Sequence, residues 1–262
     1  TLHHKGCDVE FLLCDGILKS CVMGSIHSLN EDEYFKNGSK KLCSSCFEVS
    51  KNFLKKLNLK INTFSNSITP EEIDKINQLN FDKLSLDEIK NFKYENVSIG
   101  EHAFAGALRY YAKTEINDEK YHKGIANSYL KSAFLSYMVI KNLFNEKKYD
   151  EIILNHGIYV PQGIINEYAR SKNINVSTWC TGYRKNSFCF TRGDTYHRSL
   201  INEPNKNWED IKLNKKITDK LFSYLNSRLT GSNDWIFFHN NPSFNSEKFF
   251  EENKIDNNKP II

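Results

Sequence analysis

The residues best suited to chemistry in this chain of 262 residues begin with His156-Gly157-Ile158-Tyr159, set between the apolar Ile152-Ile153-Leu154 and Pro161. Neutral imidazole accepts a proton near pH 7, and a neighbouring glycine lets a substrate approach the backbone. His156 is therefore a candidate general base, with Gly157 and Tyr159 beside it as binding residues. Ile99-Gly100-Glu101-His102 repeats the logic, with a glycine ahead of a carboxylate and an imidazole at a helix start. Glu101 and His102 are candidates for the base or its orienting partner and Gly100 for close approach, although an acid at a helix start also follows from the macrodipole alone. Further on, Tyr183 and Arg184 follow Gly182, while Asp194, Tyr196 and His197 follow Gly193. Carboxylates, a guanidinium and flat aromatic faces on loops suit a sugar.

A second constellation is Cys14, Cys21, Cys43 and Cys46, spaced C-x6-C-x21-C-x2-C. Two thiol pairs around a polar stretch read either as a four-thiolate site for zinc or an iron–sulfur cluster, or as ordinary reduced thiols. A thioredoxin-type role for Cys43 and Cys46 fits less well, because the pair follows a charged loop instead of a strand. Cys7, Cys180 and Cys189 read as small buried hydrophobes. GxGxxG, P-loop, HExxH and nucleophile-elbow signatures are absent from the sequence.

The elements that must position these residues follow from periodicity. Glu151–Leu154 reads as a buried strand, Pro161–Lys172 as a helix ended by Asn173, and Ile174–Trp179 as a second strand. Strand, helical crossover and strand form a parallel βαβ element, and ligands of such sheets bind beyond the carboxyl ends of the strands. That places His156 on the functional rim. Upstream, Val9–Leu13 is a strand, residues 14–42 a long loop that needs something to order it, and Ser44–Leu57 a helix. Lys60–Phe64 is a short strand, and helices start at Thr69-Pro70 and Ser85. Gly100–Lys113 and Glu119–Lys147 read as helices, the latter with a broad core stripe. Ser187–Phe190 is a further strand, and Asn214–Leu229 and Ser246–Asn253 are the last helices. The expectation is an α/β fold with a Rossmann-like parallel sheet flanked by helices. Residues 1–235 would form one domain with a Cys-containing insertion at 14–46, and 236–262 a linker and the start of a second domain.

With 39% hydrophobic and 26% charged residues the composition is globular, and 36 basic against 32 acidic side chains give a net charge of only +4. No polyanion-binding stripe and no nucleic-acid partner are read from this, and no transmembrane span or signal peptide is visible. Membrane contact would be peripheral at most. Both ends read as truncated, one entering a strand almost at once and the other stopping on the apolar Pro260-Ile261-Ile262.

At His156-Gly157-Ile158-Tyr159-Val160-Pro161-Gln162-Gly163, and on through Glu167-Tyr168-Ala169-Arg170, the chain resembles bacterial surface-polysaccharide glycosyltransferases of capsule and O-antigen clusters. Phe190, Gly193 to Arg198, Glu203-Pro204, the Cys14-Asp15-Gly16 turn and Cys43-Ser44-Ser45-Cys46 extend the resemblance over most of the chain. It implies a GT-B transferase, two Rossmann-like domains facing across a cleft, of which this chain would be the acceptor side. A nucleotide-sugar donor would be held mainly by the other domain, with a saccharide or lipid-linked saccharide as acceptor, in the cytoplasm or at the inner face of its membrane. His156 would act as base, Glu101 or His102 as substitute or orienting partner, and Arg184, Asp194, Tyr196 and His197 would shape the acceptor pocket. Two other classes compete with this reading. One is a metal-ordered, non-catalytic module of a polysaccharide-assembly complex, and the other a thiol oxidoreductase built on Cys43 and Cys46.

Overall fold

Short-range hydrogen bonds set many of the element boundaries. A computed structural model of the chain describes residues 2–26, 30–182, 184–230, 246–256 and 259. Strand β1 (Glu10–Leu13) is followed by three short helices, α1 (Met23–Ile26), α2 (Glu31–Asn37) and α3 (Lys40–Cys43). A π-helical turn at Ser44–Glu48 leads into α4 (Val49–Lys56), then strand β2 (Lys60–Thr63). Helices α5 (Pro70–Gln78) and α6 (Leu86–Lys90) both open with reciprocal capping boxes. The hydroxyls of Thr69 and Ser85 each accept the N–H three residues on, from Glu72 and Glu88, whose carboxylates accept the capping residues' own N–H groups.

Next come α7 (Ile99–Tyr111) and the long α8 (Lys120–Glu146), which packs against α7, α2, α5 and α6. The stripe expected on α8 is the centre of the core. Ile125, Tyr129, Leu130, Ala133, Tyr137, Val139 and Ile140 are all but completely buried, and a fully buried aliphatic side chain contributes on the order of 1.5–3 kcal/mol. Gly106 makes the α7–α8 approach possible, since a Cβ there would stand 2.6 Å from the Tyr129 ring.

Strand β3 (Glu151–Asn155), helix α9 (Gln162–Ser171) and strand β4 (Asn175–Thr181) form the expected βαβ unit, with β3 and β4 parallel in a register that opposes Glu151 to Asn175. Strand β5 (Phe188–Arg192) completes a sheet of order β3-β4-β5. Helices α10 (Tyr196–Asn202), α11 (Lys206–Glu209), α12 (Lys215–Thr230) and α13 (Ser246–Glu252) follow. No helix among the described residues is long and apolar enough to cross a membrane.

The fold is mixed α/β, but the strands do not join into one sheet among the described residues. β1 and β2 pair in parallel as a separate two-stranded ribbon. The stretch 14–42, expected as a long loop that needs something to order it, carries α1, α2 and most of α3. Its order comes from packing. Asn30 caps α2 through its side chain, and the ring of Tyr34, 1% exposed, stacks on Tyr110 at 4.3 Å and places its hydroxyl 3.1 Å from that of Tyr129. Widely spaced anchors of this kind leave no periodic trace in a sequence. The Gly193–Arg198 stretch, read as a loop, becomes helical from Tyr196.

The chain divides into two compact units, Thr1–Cys180 with Phe190–Ile201, and Thr181–Cys189 with Asn202–Ile262. The division falls before the expected boundary at residue 235, which itself lies outside the described residues.

Candidate functional site

Beyond the end of β3 the chain turns sharply. His156 and Gly157 have φ of 58° and 71°, both in the left-handed region. The turn is held from two sides. The His156 N–H donates to the Trp179 carbonyl at 2.9 Å, continuing the β3–β4 ladder one residue past the strand, and Asn166 Nδ2 on α9 donates to the Gly157 carbonyl at 3.1 Å. A Cβ at Gly157 would stand 2.8 Å from the Thr178 methyl and 3.0 Å from the Asn166 amide, so this glycine serves close packing of the turn.

His156 is half-buried, and its Nδ1 lies 3.1 Å from the Tyr196 hydroxyl at the start of α10. With Nδ1 donating to that oxygen, Nε2 keeps the free lone pair a base requires. Burial, then the positive charge of Arg109 and then His197, hold the imidazole below its usual titration range, so the ring is neutral at pH 7. The His197 ring lies 3.9 Å from that of Tyr196, tilted by 35°, and its pKa is likewise lowered by burial. Tyr159 stands edge-on to His156 at 6.0 Å and carries the Arg109 guanidinium, 4.7 Å above its ring and 3.2 Å from its hydroxyl.

Helix α7 contributes a different pair. His102 Nδ1 faces the Ile158 carbonyl at 2.7 Å, and Nε2 faces the Glu167 carboxylate at 2.9 Å. The ring is thus held between a main-chain carbonyl and a carboxylate, one at each nitrogen. Glu167 also accepts the Ser98 N–H at 2.8 Å. Burial opposes its ionisation, but the hydrogen bonds from His102 and Ser98 outweigh that cost and hold the carboxyl below its ordinary range. His102 thus clamps the Ile158 turn between α7 and α9.

Its neighbour Glu101 is exposed, with the Arg198 guanidinium of α10 at 3.4 Å. Helix α10 therefore touches both candidate bases, His156 through Tyr196 and Glu101 through Arg198. Gly100 is buried in the first turn of α7, where a Cβ would run into the Ile89 carbonyl, so its role is helix packing. Asp194 accepts from Arg170 at 3.1 Å and from the Thr195 N–H at 2.7 Å, anchoring the entry to α10. Arg184 belongs to the second unit and lies 5.9 Å above the Tyr224 ring. Tyr183 falls outside the described residues. The site residues that sequence reasoning missed are Arg109, Asn166, Glu167, Arg170 and Arg198. The motifs Glu167-Tyr168-Ala169-Arg170 and Gly193 to Arg198 held three of them, Glu167, Arg170 and Arg198, without giving them a role, and nothing in the sequence pointed to Arg109 or Asn166.

The cysteine constellation converges partway. Burial, and the nearness of Cys21 and Cys43, push the Cys14 thiol up to about 11 against the opposing N–H bonds of Gly16 and Leu18. Cys21 and Cys43 both donate to Ser39, at 3.6 Å to its hydroxyl and 3.4 Å to its carbonyl. Among the described residues no three His, Cys, Asp or Glu side chains form a group that could hold a metal ion. Cys43 and Cys46 are both raised by burial and by neighbouring thiols, opposite to the lowering a redox nucleophile needs.

No family model, curated protein or solved structure matches this chain.

Proposed function

We propose that this chain is the acceptor-binding part of a glycosyltransferase, in which His156 takes the proton of an acceptor hydroxyl as a sugar is transferred to it from a nucleotide-sugar donor. The observation that carries the reading is a half-buried, neutral imidazole on the carboxyl-end rim of a parallel βαβ unit, oriented through Nδ1 by Tyr196. Tyr159 and His197 offer flat faces for a sugar ring, and Arg109 and Arg198 bring positive charge to the same rim, where the leaving diphosphate needs it. His102 and Glu167 act as positioning residues that hold the turn.

In the transfer step the acceptor oxygen forms a bond to the anomeric carbon as the bond from that carbon to the diphosphate breaks. The hydroxyl proton passes to Nε2 of His156, and the bonding pair leaves with the nucleoside diphosphate. The test is release of nucleoside diphosphate from a panel of nucleotide sugars in the presence of lipid-linked saccharide acceptors, with the full-length protein. Acceptor-dependent release that is lost in His156→Ala supports the reading. Absence of release with every donor, or release indifferent to His156→Ala and Glu101→Gln alike, overturns it.

A further inference from the structure

Five lysines that lie scattered in the sequence meet on the first unit. Lys19 follows β1, Lys36 sits in the last turn of α2, and Lys120, Lys123 and Lys131 follow one another along α8. Together they line a groove of about 670 Å³ in which Asp82 is the one acidic lining residue among the described residues. Lys36 is paired with Asp32 at 2.6 Å, but Lys19, Lys120, Lys123 and Lys131 make no ion pair within 4 Å among the described residues. Burial and the charge of Lys131 hold Lys19 below the usual lysine range. Asp82 in the groove, Asp32 beside Lys36 and Lys120, and Glu88 near Lys123 answer part of this charge, and an anion in the groove would balance the rest.

A second observation is independent of charge. Asn127, which lines the groove, is 5% exposed, and its Oδ1 has no hydrogen-bond partner. Its Nδ2 donates to Asp82 at 3.2 Å, and the carboxylate fixes which end of the amide is which. An orphaned buried acceptor calls for a donor, and the hydroxyls of a sugar offer one. Phe35 forms an apolar wall opposite Gly124, where a Cβ would collide with its ring. The volume lies within the range of about 300–1,000 Å³ usual for small-molecule sites.

We infer that this groove binds a small phosphorylated molecule bearing hydroxyls, a sugar phosphate, with the lysines on the phosphate and Asn127 on a hydroxyl. None of its lining residues belongs to the His156 rim, so the inference stands apart from the transferase reading.

The experiment is calorimetric titration of the full chain at about 0.15 M salt, where exposed charges are screened beyond ~8 Å. The probes are glucose 1-phosphate, pyrophosphate and, as neutral control, glucose. Expected is saturable binding of both phosphates and none of glucose. Affinity for both should fall about tenfold or more in Lys123→Gln/Lys131→Gln and stay unchanged in His156→Ala. Asn127→Ala should weaken glucose 1-phosphate more than pyrophosphate, and should Asn127→Ala not fold, the lysine pair alone decides. No binding of either phosphate, equal binding by the lysine double variant, loss in His156→Ala instead, or binding confined to phosphatidylglycerol vesicles would each overturn the inference.

Discussion

Nδ1 of His156 and the hydroxyl of Tyr196 lie 3.1 Å apart across 40 positions of sequence, one at the exit of β3 and the other at the start of α10. The contact occupies Nδ1, so the other ring nitrogen, Nε2, is the one that faces a substrate in the proposed transfer. It also makes α10, which carries Arg198 to Glu101 as well, the element on which the geometry of the rim depends.

If His156 is the base, His156→Ala should lower transfer by about 10²–10⁴, whereas Tyr196→Phe, which removes only the orienting hydroxyl, should cost less. Stability should respond differently. Because residue 156 has φ of 58°, His156→Gly should be more stable than His156→Ala by about 1 kcal/mol, since an alanine in the left-handed region is strained and glycine is not. Transfer rates and urea midpoints of the three variants, measured side by side, check both parts.

The two lowered histidines make a pH dependence. A histidine whose folded pKa lies below its unfolded value binds fewer protons in the native state, so stability is fully present above about 6.5 and falls as pH drops below it, towards the folded values. The melting temperature should decline more steeply from pH 7 to 5 in the unaltered protein than in a His156→Gln/His197→Gln variant. Parallel curves would show that neither ring is shifted.

Glu167 has the opposite sign. Its folded pKa is depressed, so its contribution is present above the unfolded value of about 4.5 and is lost as pH falls through the folded one. Glu167→Gln removes the carboxylate on which His102 and the Ser98 N–H converge and should cost about 1–3 kcal/mol at pH 7, with a shallower loss of stability in acid. Gly163→Ala strikes the same clamp from inside, because the added Cβ would collide with the Ile158 carbonyl and His102 Nδ1. It should destabilise by about 1–3 kcal/mol or more, as denaturant midpoints will reveal.

Thiol reactivity should separate the cysteines. Cys7 is exposed, whereas Cys14 is pushed up to about 11 by burial and two neighbouring thiols. At pH 8 iodoacetamide should alkylate Cys7 well before Cys14, because only the thiolate reacts, and peptide mass spectrometry over time gives the order. Equal rates would mean that Cys14 is neither buried nor raised.

Much of the local structure was legible in the residues themselves. Thr69-Pro70 and Ser85 announce α5 and α6 because capping chemistry is local, and α8 shows its buried face because helical periodicity repeats every few residues. The crossover from β3 through α9 to β4, and with it the position of His156 at a strand end, follows from the same short-range signals. What only the tertiary structure decided is which distant groups meet. His102 pairs with Glu167 from 65 positions away, Tyr196 reaches His156 through a helix read as a loop, and Lys19 joins Lys131 across more than a hundred residues although the net charge is only +4. Periodicity and capping are properties of neighbouring residues, whereas these encounters depend on how α7, α9 and α10 settle around the α8 core, and that packing is a sum over the whole chain.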